Sequence, residues 1–470
     1  MRRFDDIAIG ACLALLACLL YWKTLSFDFL RTWDDGSYIL NNPYIRGFSL
    51  ENIKGVFTNT FVSNYAPLHI FSYAVDYSLW ELRPKGYHLT NVLLHGINGF
   101  LLYLLVRLIT VSRSIAVIVT LLFISHPINV ENVAWVAERK TLLATFFLFL
   151  SLITYIYYRQ GNRLNLYITS IAFGICAIFS KPTAVVLPLL VLLIENYLHH
   201  DDQRKHLSIP FWIMAAVGSA IAIYIHTYGG ALDSAATSVD ALINSVYPTA
   251  FVIYWSYIKL LIWPLDLNGY YDTTIYNGFF ETSVIIAIAG WICISYIAIK
   301  WSDRHIRFWY LWFWICLLPT SNIIPISNFY ADRYMYTPAV GLFAMAALLI
   351  VRLAAAIKKH IPPHIAFSEL IFSSIIVFIL TASFSALTYY RSDIWRNEIV
   401  FWEDTMSKSP LLALTHANLG MAYENDMQLK RALIQYNNAS RIEPSKSNIT
   451  KLRRVEKKLK LLQSWEKHGH

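Results

Sequence analysis

The chain has 470 residues, of which 56% are hydrophobic, 15% aromatic and only 15% charged, and its formal net charge is +9. This composition excludes an ordinary soluble domain. It predicts an all-α polytopic membrane protein, because every apolar segment must satisfy its own backbone hydrogen bonds in lipid. The positive charge does not indicate a nucleic-acid partner, since the basic residues lie in short loops between apolar segments. All five cysteines lie in apolar stretches, which leaves no disulfide framework and no metal-binding spacing.

Eleven segments are predicted to cross the membrane, at about 7–23, 88–107, 114–127, 141–158, 165–180, 184–198, 209–226, 282–299, 308–324, 337–353 and 368–389. With the N-terminus inside, the loops assigned to the cytoplasm are short and basic, as the positive-inside rule requires. They are Arg107–Arg113, Arg159–Arg163, His199–His206, Lys300–Arg307 and Arg352–His364. Asp240–Pro264 is also apolar enough to cross, but counting it would place the later basic loops outside. It is therefore interpreted as an interfacial or re-entrant piece on the outer side.

This topology places almost every unusual polar motif on the outer face. The outer segments are the first loop 24–87, Asn129–Lys140, Ser180–Thr183, the region 227–281, Ile326–Tyr336 and everything after about Arg391. A random scatter of polar residues would not collect on one side. We therefore expect a shared active site at the outer membrane surface.

Trp33-Asp34-Asp35 follows the first apolar segment and carries two adjacent carboxylates at the membrane surface. A carboxylate at this depth suits a general base that deprotonates a hydroxyl beside a membrane-embedded donor, with Trp33 anchoring its depth. The pair also suits a divalent cation such as Mg²⁺ or Mn²⁺, although the sequence does not require one. The alternative is a solvated turn, since Asp-Asp-Gly is favourable turn chemistry.

Further polar residues in and after the first outer loop are candidates for lining the cavity or contacting the acceptor. Asn64 and Tyr65 belong to a segment predicted to form amphipathic helices on the membrane. His88, Asn91 and His95 lie in or at the start of the second apolar segment, the last two at helical spacing on one face. The alternatives are interfacial anchoring for the loop residues and hydrogen bonding to neighbouring helices for those in the second segment.

A second group of candidates is cationic. Arg139 and Lys140 follow Glu138, and Lys181 and Arg333 lie at the ends of later segments. Cations on the outer side run against the topological bias, and cations aimed at one site can neutralise a phosphate. The alternative is that they snorkel or pair with carboxylates such as Glu138. The cytoplasmic loops are too short for a nucleotide-sugar site, a need that a lipid-attached donor avoids.

The composition changes after the last apolar segment, which divides the chain into a membrane domain (1–390) and a C-terminal helical domain (391–470). The stretch 413–446 fits the 34-residue tetratricopeptide (TPR) template. The matching residues are Leu419, Gly420, Tyr423, Ala432, Tyr436, Ala439 and Pro444. One repeat cannot bury its own face, so it is expected to pack on flanking helices or on the membrane domain.

In this order the motifs resemble the transmembrane and tetratricopeptide-repeat-containing (TMTC) family of protein O-mannosyltransferases and its prokaryotic relatives. The matching stretches are Trp33-Asp34-Asp35, Asn41-Asn42-Pro43, Asn64-Tyr65-Ala66-Pro67-Leu68, Gly86–His95, His126-Pro127-Ile128, Glu131, Ala134-Trp135-Val136, Glu138-Arg139-Lys140, Ser180-Lys181-Pro182, Ala331–Tyr336 and the C-terminal repeat. The resemblance implies a C-type glycosyltransferase fold, with about 11 transmembrane helices by our count. It also implies a lipid-phosphate-linked sugar donor, a catalytic acidic pair in the first outer loop and an outside-facing repeat region.

The sequence thus predicts a glycosyltransferase that moves a sugar from a polyprenyl- or dolichyl-phosphate donor to an acceptor hydroxyl, with inversion. The expected acceptor is a protein Ser or Thr, bound with help from the repeat. The expected location is a bacterial inner membrane with the site facing the periplasm, or the endoplasmic reticulum membrane in a eukaryote. Three alternatives stay open: a lipid or polysaccharide acceptor, a flippase or transporter of lipid-linked glycans, and a membrane scaffold.

Overall fold

The computed structural model describes residues 2–62, 64–198, 202, 204–228, 238–326, 328–361 and 368–468. Parts of two predicted cytoplasmic loops (199–206 and 352–364) and of the outer region 227–281 lie outside these ranges. Within the described ranges no strand forms, apart from one antiparallel bridge between Phe61 and Asn64. The all-α prediction is confirmed.

The α-helices, numbered in chain order, have the following bounds: α1 Arg2–Leu20, α2 Leu50–Thr58, α3 Pro67–Trp80, α4 Pro84–Thr110, α5 Arg113–Ser125, α6 Val130–Ala134, α7 Arg139–Gly161, α8 Leu164–Ser180, α9 Leu187–Leu198, α10 Ile209–Tyr228, α11 Val239–Ala241, α12 Tyr247–Ile262, α13 Thr282–Tyr296, α14 Arg304–Leu317, α15 Ala339–His360, α16 Glu369–Ser392, α17 Glu398–Lys408, α18 Ala413–Asn425, α19 Leu429–Ile442 and α20 Lys446–His468. Short 3-10 or π-helical turns connect several of them. Those around the site are Gly36–Leu40, Val136–Glu138, Pro182–Val186 and Asp332–Met335.

All eleven predicted crossings overlap described helices, although the one at about 308–324 extends beyond α14, which ends at Leu317. In the described part of the chain, five helical stretches are long and apolar enough to span a bilayer on their own: Pro84–Thr110, Val136–Gly161, Thr282–Trp301, Ala339–His360 and Glu369–Trp395. A sixth arises if α5 and the Pro127–Ala134 segment, bent by 56°, count as one span. The remaining predicted crossings lie on shorter helices or on helices that do not meet this criterion. The chain is therefore a multi-pass membrane protein.

Asp240–Pro264 is helical over nearly its whole length, because α11, the π-helical turn Leu242–Val246 and α12 follow one another without a break from Val239 to Ile262. At about 1.5 Å per residue, such a stretch reaches across the roughly 30 Å hydrocarbon core of a bilayer. Its length therefore does not distinguish a crossing from an interfacial or re-entrant piece, and the latter stays a prediction.

The long helix α4 is central to the membrane region and packs against α1, α5 and α7. A small residue permits its close approach to α1. A Cβ on Gly96 would lie 2.9 Å from the carbonyl oxygen of Ala14 and 2.7 Å from the sulfur of Cys18. Small residues let neighbouring helices approach closely in membranes, where no hydrophobic force drives them together. This packing fixes the end of α1 and therefore the start of the first outer loop.

The loop from α1 to α4 contains the acidic pair and two helices. Gly36 is required directly after the pair, because a Cβ there would lie 2.5 Å from the carbonyl oxygen of Arg31. Helix α2 leaves Leu50, Ile53 and Phe57 exposed, whereas α3 buries polar residues. The acidic pair lies in a helical conformation that continues into the π-helical turn Gly36–Leu40.

Helices α17 to α20 stack in sequence, with α17 on α18, α18 on α19 and α19 on α20. Gly420 lets α18 and α19 approach, since a Cβ there would lie 2.8 Å from the ring of Tyr436. Glu424 accepts hydrogen bonds from the Tyr436 hydroxyl (2.7 Å), Arg454 (2.6 Å) and Lys458 (2.8 Å). The predicted repeat thus packs as a helical pair between two flanking helices.

Candidate active site

Asp35 is buried, and its carboxylate is occupied by the backbone. One oxygen accepts the N–H of Leu30 and the other accepts the N–H of Ala137, both at 2.9 Å. Burial raises the pKa of Asp35 to about 7. These bonds attach the first outer loop to the 3-10 turn before α7. Asp35 therefore holds the first outer loop in place, and its participation in proton transfer stays a prediction.

Asp34 has a different environment, although it is the next residue. Its side chain is 25% exposed, and one oxygen lies 4.0 Å from Nζ of Lys140. Burial raises the pKa of Asp34 above its ordinary value, while the charges of Lys140 and Arg333 oppose that rise. A carboxylate with a raised pKa is a stronger base once deprotonated, and this holds for both aspartates. Asp34 is the better placed to meet a ligand, because its side chain is partly exposed whereas both oxygens of the buried Asp35 accept backbone N–H groups.

Three cations converge on the carboxylate of Glu138, which is completely buried. Nζ of Lys140 lies 3.1 Å away, Nζ of Lys181 3.3 Å and Nε of Arg333 3.5 Å. Thr141 donates a further hydrogen bond of 2.6 Å to Glu138. The cationic side chains are 11–14% exposed. Residues from three separate parts of the chain therefore form one cluster, called here the Glu138 cluster.

Positive charge exceeds negative charge within this cluster. Arg333 is also held by Glu131, through its backbone N–H (2.9 Å) and its guanidinium (2.6 Å). Three cations thus share two buried carboxylates before Asp34 is counted. Burial and the neighbouring cations lower the pKa of Lys181 to about 8, despite its contact with Glu138. A surplus of partly desolvated cations is an arrangement that favours binding of an anion such as phosphate.

Arg139 does not join this cluster, in contrast to its predicted role. Its guanidinium is fully buried and lies 2.5 Å from Asp76. It also donates to the side chain of Asn91 (2.8 Å) and the carbonyl of Tyr87 (2.9 Å). The amide of Asn91 in turn donates to the carbonyl of Trp135 at 3.2 Å. Arg139 and Asn91 therefore tie α3, α4 and α7 together, and of the two adjacent cations only Lys140 faces Asp34.

The two candidate histidines of α4 are both buried. Nδ1 of His95 lies 2.8 Å from the hydroxyl of Tyr336, which connects α4 to the turn before α15. The ring of His88 packs edge-on against Phe27, with 6.1 Å between the ring centroids. The contact of His95 favours the structural alternative, hydrogen bonding to a neighbouring segment, whereas the role of His88 stays a prediction.

Asn64 and Tyr65 lie closer to the site. Asn64 donates to the carbonyl of Val62 at 3.0 Å and lies 3.5 Å from the hydroxyl of Tyr38. The ring of Tyr38 is in turn 5.3 Å from Nζ of Lys140. Tyr65 donates to a backbone carbonyl of α2 at 2.9 Å. The ring of Tyr38 therefore lies between Asn64 and Lys140 of the Glu138 cluster.

Trp33 is expected to anchor the depth of the acidic pair in the membrane, and this stays a prediction. Its ring packs in an aromatic group with centroid distances of 4.9 to 6.3 Å. Its partners are Trp135, Tyr270, Phe401 and Trp402. No local sequence pattern indicated that α17 contacts the loop of the acidic pair, because about 370 residues separate them.

The acidic pair as placed does not form a divalent cation site. Both oxygens of Asp35 already accept backbone N–H groups. Hard divalent cations take about six or more oxygen ligands. In the described part of the chain no group of three or more His, Cys, Asp or Glu side chains is arranged to hold a metal ion.

Two solved structures show limited likeness to the chain. The oligosaccharyltransferase of Archaeoglobus fulgidus, tethered with an acceptor peptide, is 10% identical, with a TM-score of 0.44 over 82% of this chain and 55% of that one. ArnT of Cupriavidus metallidurans, bound to undecaprenyl phosphate, is 13% identical, with a TM-score of 0.40 over 86% of this chain and 80% of that one. Both TM-scores are below 0.5, and the proposed function does not rest on them.

No protein-family model matches the chain, but curated proteins do. Protein O-mannosyl-transferase F38B6.6 of Caenorhabditis elegans is 24% identical over 457 residues, which cover 92% of this chain and 62% of the relative. Human protein O-mannosyl-transferase TMTC3 is 23% identical over 482 residues, which cover 90% of this chain and 50% of the relative. The chain thus spans only about half to three fifths of their length. The predicted resemblance is confirmed: along nearly its whole length the chain is similar to the TMTC family of protein O-mannosyl-transferases.

Proposed function

We propose that this chain is an integral-membrane glycosyltransferase that moves a sugar from a polyprenyl-phosphate-linked donor to an acceptor hydroxyl. The observation that carries the proposal is the position of Asp34, a partly exposed carboxylate beside a cluster with surplus positive charge. A base and a phosphate-binding group side by side are the two elements that such a transfer needs. The relatives named as protein O-mannosyl-transferases support a protein Ser or Thr hydroxyl as the acceptor.

The donor phosphate binds at Lys140, Lys181 and Arg333. A phosphodiester carries one negative charge, and the polyprenyl phosphate that leaves carries up to two. Cations held in place by Glu138 and Glu131 need not reorganise as this charge develops. Preorganised charge in a partly desolvated site stabilises a transition state more than the same charge in water does. The cluster therefore assists departure of the phosphate without a separate general acid.

Asp34 acts as the base. Its carboxylate takes the proton from the acceptor hydroxyl while the acceptor oxygen forms a bond to the anomeric carbon. The bond from that carbon to the phosphate oxygen breaks, and its electron pair leaves with the polyprenyl phosphate. A single displacement of this kind inverts the anomeric configuration. Asp35 keeps the loop in place through its two backbone hydrogen bonds.

The charge-based topology supports a site on the non-cytoplasmic face. This face is the periplasmic side of a bacterial inner membrane, or the lumenal side of the endoplasmic reticulum in a eukaryote. Helices α18 and α19 would then lie on the same side and present the acceptor. Deleting Ala413–His470 is accordingly expected to weaken acceptor use more than donor binding.

The experiment compares Asp34→Asn with Asp393→Asn in protein purified into lipid nanodiscs. Asp393 pairs with Lys23 at 2.9 Å and is 48% exposed, so its variant controls for loss of one carboxylate elsewhere. With polyprenyl-phosphate mannose and a Ser/Thr peptide, Asp34→Asn is expected to lower kcat at least about 100-fold. Asp393→Asn should retain transfer. Near-normal transfer by Asp34→Asn would refute the assignment of the base, and transfer only to a lipid or polysaccharide acceptor would refute the protein acceptor.

A further inference from the structure

Helix α17, which comes near the end of the chain, contacts the loop that carries Asp34. The backbone N–H of Thr32 donates to a carboxylate oxygen of Glu398 at 3.0 Å. The indole N–H of Trp402 donates to the hydroxyl of Thr32 at 2.8 Å. The ring of Trp402 also packs edge-on against Trp33, with 4.9 Å between the centroids. Two residues immediately before Asp34 are therefore held by side chains of α17.

Glu398 also contacts the repeat region. Its second carboxylate oxygen accepts a hydrogen bond of 3.1 Å from the amide of Asn425, at the end of α18. Glu398 lies in the first turn of α17, where the helix dipole favours a negative charge. One carboxylate thus bridges the loop of the acidic pair and the first helix of the repeat. This bridge does not take part in the proposed proton transfer or in binding of the phosphate.

The Thr32 backbone lies between two other attachments of the loop, the aromatic packing of Trp33 and the bonds from Asp35 to Leu30 and Ala137. The bond to Glu398 is the one that joins this stretch of backbone to a carboxylate of α17. Without an acceptor from α17, the Thr32 N–H would have to find water in a half-buried site. A displacement of about 1 Å at a reacting group can lower a rate about 100-fold. We propose that Glu398 is a positioning residue that fixes the Asp34 loop and joins it to the repeat region.

The test uses the full-length chain in nanodiscs and two readouts. The first is hydrogen exchange of peptides that cover Leu30–Gly36, which needs no substrate. The second is transfer from polyprenyl-phosphate mannose, and this readout rests on the proposed function. Glu398→Ala removes the acceptor for the Thr32 N–H. It is expected to speed exchange in this segment at least about tenfold and to lower kcat about 10- to 100-fold, with an unchanged KM for the donor.

Two variants separate positioning from general damage to the helix. Glu398→Gln keeps an oxygen that can accept the Thr32 N–H and should restore both readouts close to the wild-type values. Glu403→Ala is the matched control, because Glu403 lies on the same helix and accepts from Tyr423 of α18 at 2.5 Å. It breaks a link between α17 and α18 but not the one to the loop, and should leave both readouts unchanged. If Glu398→Ala fails to fold, Trp402→Phe removes the bond to the Thr32 hydroxyl while keeping an aromatic ring.

The outcomes distinguish this inference from the proposed function. Equal exchange in Glu398→Ala and Glu403→Ala, or a Gln variant as impaired as the Ala variant, would overturn the positioning role. A third outcome combines two results: exchange is faster in Glu398→Ala but not in Glu403→Ala, and the wild-type chain transfers no sugar. This outcome would support the positioning role and refute the proposed function.

Discussion

Arg139 and Lys140 are adjacent in the sequence, yet their side chains enter two different charge networks. Arg139 is fully buried and pairs with one carboxylate, Asp76, and its other hydrogen bonds go to Asn91, Ser72 and the carbonyl of Tyr87. Lys140 is partly exposed and belongs to the Glu138 cluster, where cations outnumber the buried carboxylates. Charge balance and exposure, rather than the presence of a cation, therefore distinguish the structural ion pair of Arg139 from the candidate ligand site around Lys140.

The largest expected effect is a loss of folding stability when the ion pair of Arg139 and Asp76 is broken. Arg139→Leu leaves Asp76 buried without its partner, which typically costs about 3–5 kcal/mol. The measurement is thermal unfolding in detergent. The double variant Arg139→Leu/Asp76→Leu is the control, because replacing both charges with apolar groups is often close to neutral. Equal losses in the single and double variants would contradict a structural pair.

The next effect is weaker donor binding when a cation of the Glu138 cluster is removed. Lys181→Met removes one charge-assisted hydrogen bond to the phosphate and should raise the KM for the donor about 10- to 100-fold. The unfolding temperature should change little. Lys259→Met is the control, since Lys259 forms an exposed ion pair with Asp266 at 2.8 Å. An unchanged KM in Lys181→Met would remove Lys181 from the phosphate site.

A third variant sharpens the difference between the two aspartates. Asp35→Asn has one acceptor oxygen where two backbone N–H groups need one each, so it should lose about 1–3 kcal/mol of stability. Asp34→Asn should lose little stability.

The stability of the wild-type chain should also depend on pH through Asp35. Because burial holds the pKa of Asp35 at about 7, above its ordinary value of 3.8, the ionised form is disfavoured in the folded state. Its contribution to stability is therefore present below pH 4 and is lost as the pH rises through 7, which unfolding at several pH values can measure.

The smallest expected effect is a change in how kcat/KM for the donor depends on pH. The pKa of Lys181 is lowered to about 8, so its positive charge is lost as the pH rises through that value. Donor kcat/KM should therefore decline above about pH 8. Lys181→Arg keeps the charge at every accessible pH and should remove this alkaline limb. An identical limb in the Arg variant would assign it to another group.

Much of the fold could be predicted because hydropathy and repeat patterns are local. The apolar segments fall on helices, and Gly420 and Tyr436 pair as the repeat template predicts. The direction of Arg139 was not predicted, although consecutive helical residues point about 100° apart and so cannot both face one site. The contact of Glu398 with Thr32 joins residues 366 apart, and no local pattern reports such a pairing.

The central claim is that Lys140, Lys181 and Arg333 bind the donor phosphate beside Asp34. A structure of the chain bound to a polyprenyl phosphate tests it most directly. The account predicts that the phosphate lies within hydrogen-bonding distance of at least two of these cations, with Arg139 still paired to Asp76. A phosphate bound to Arg139, or at a site distant from Asp34, would contradict the account.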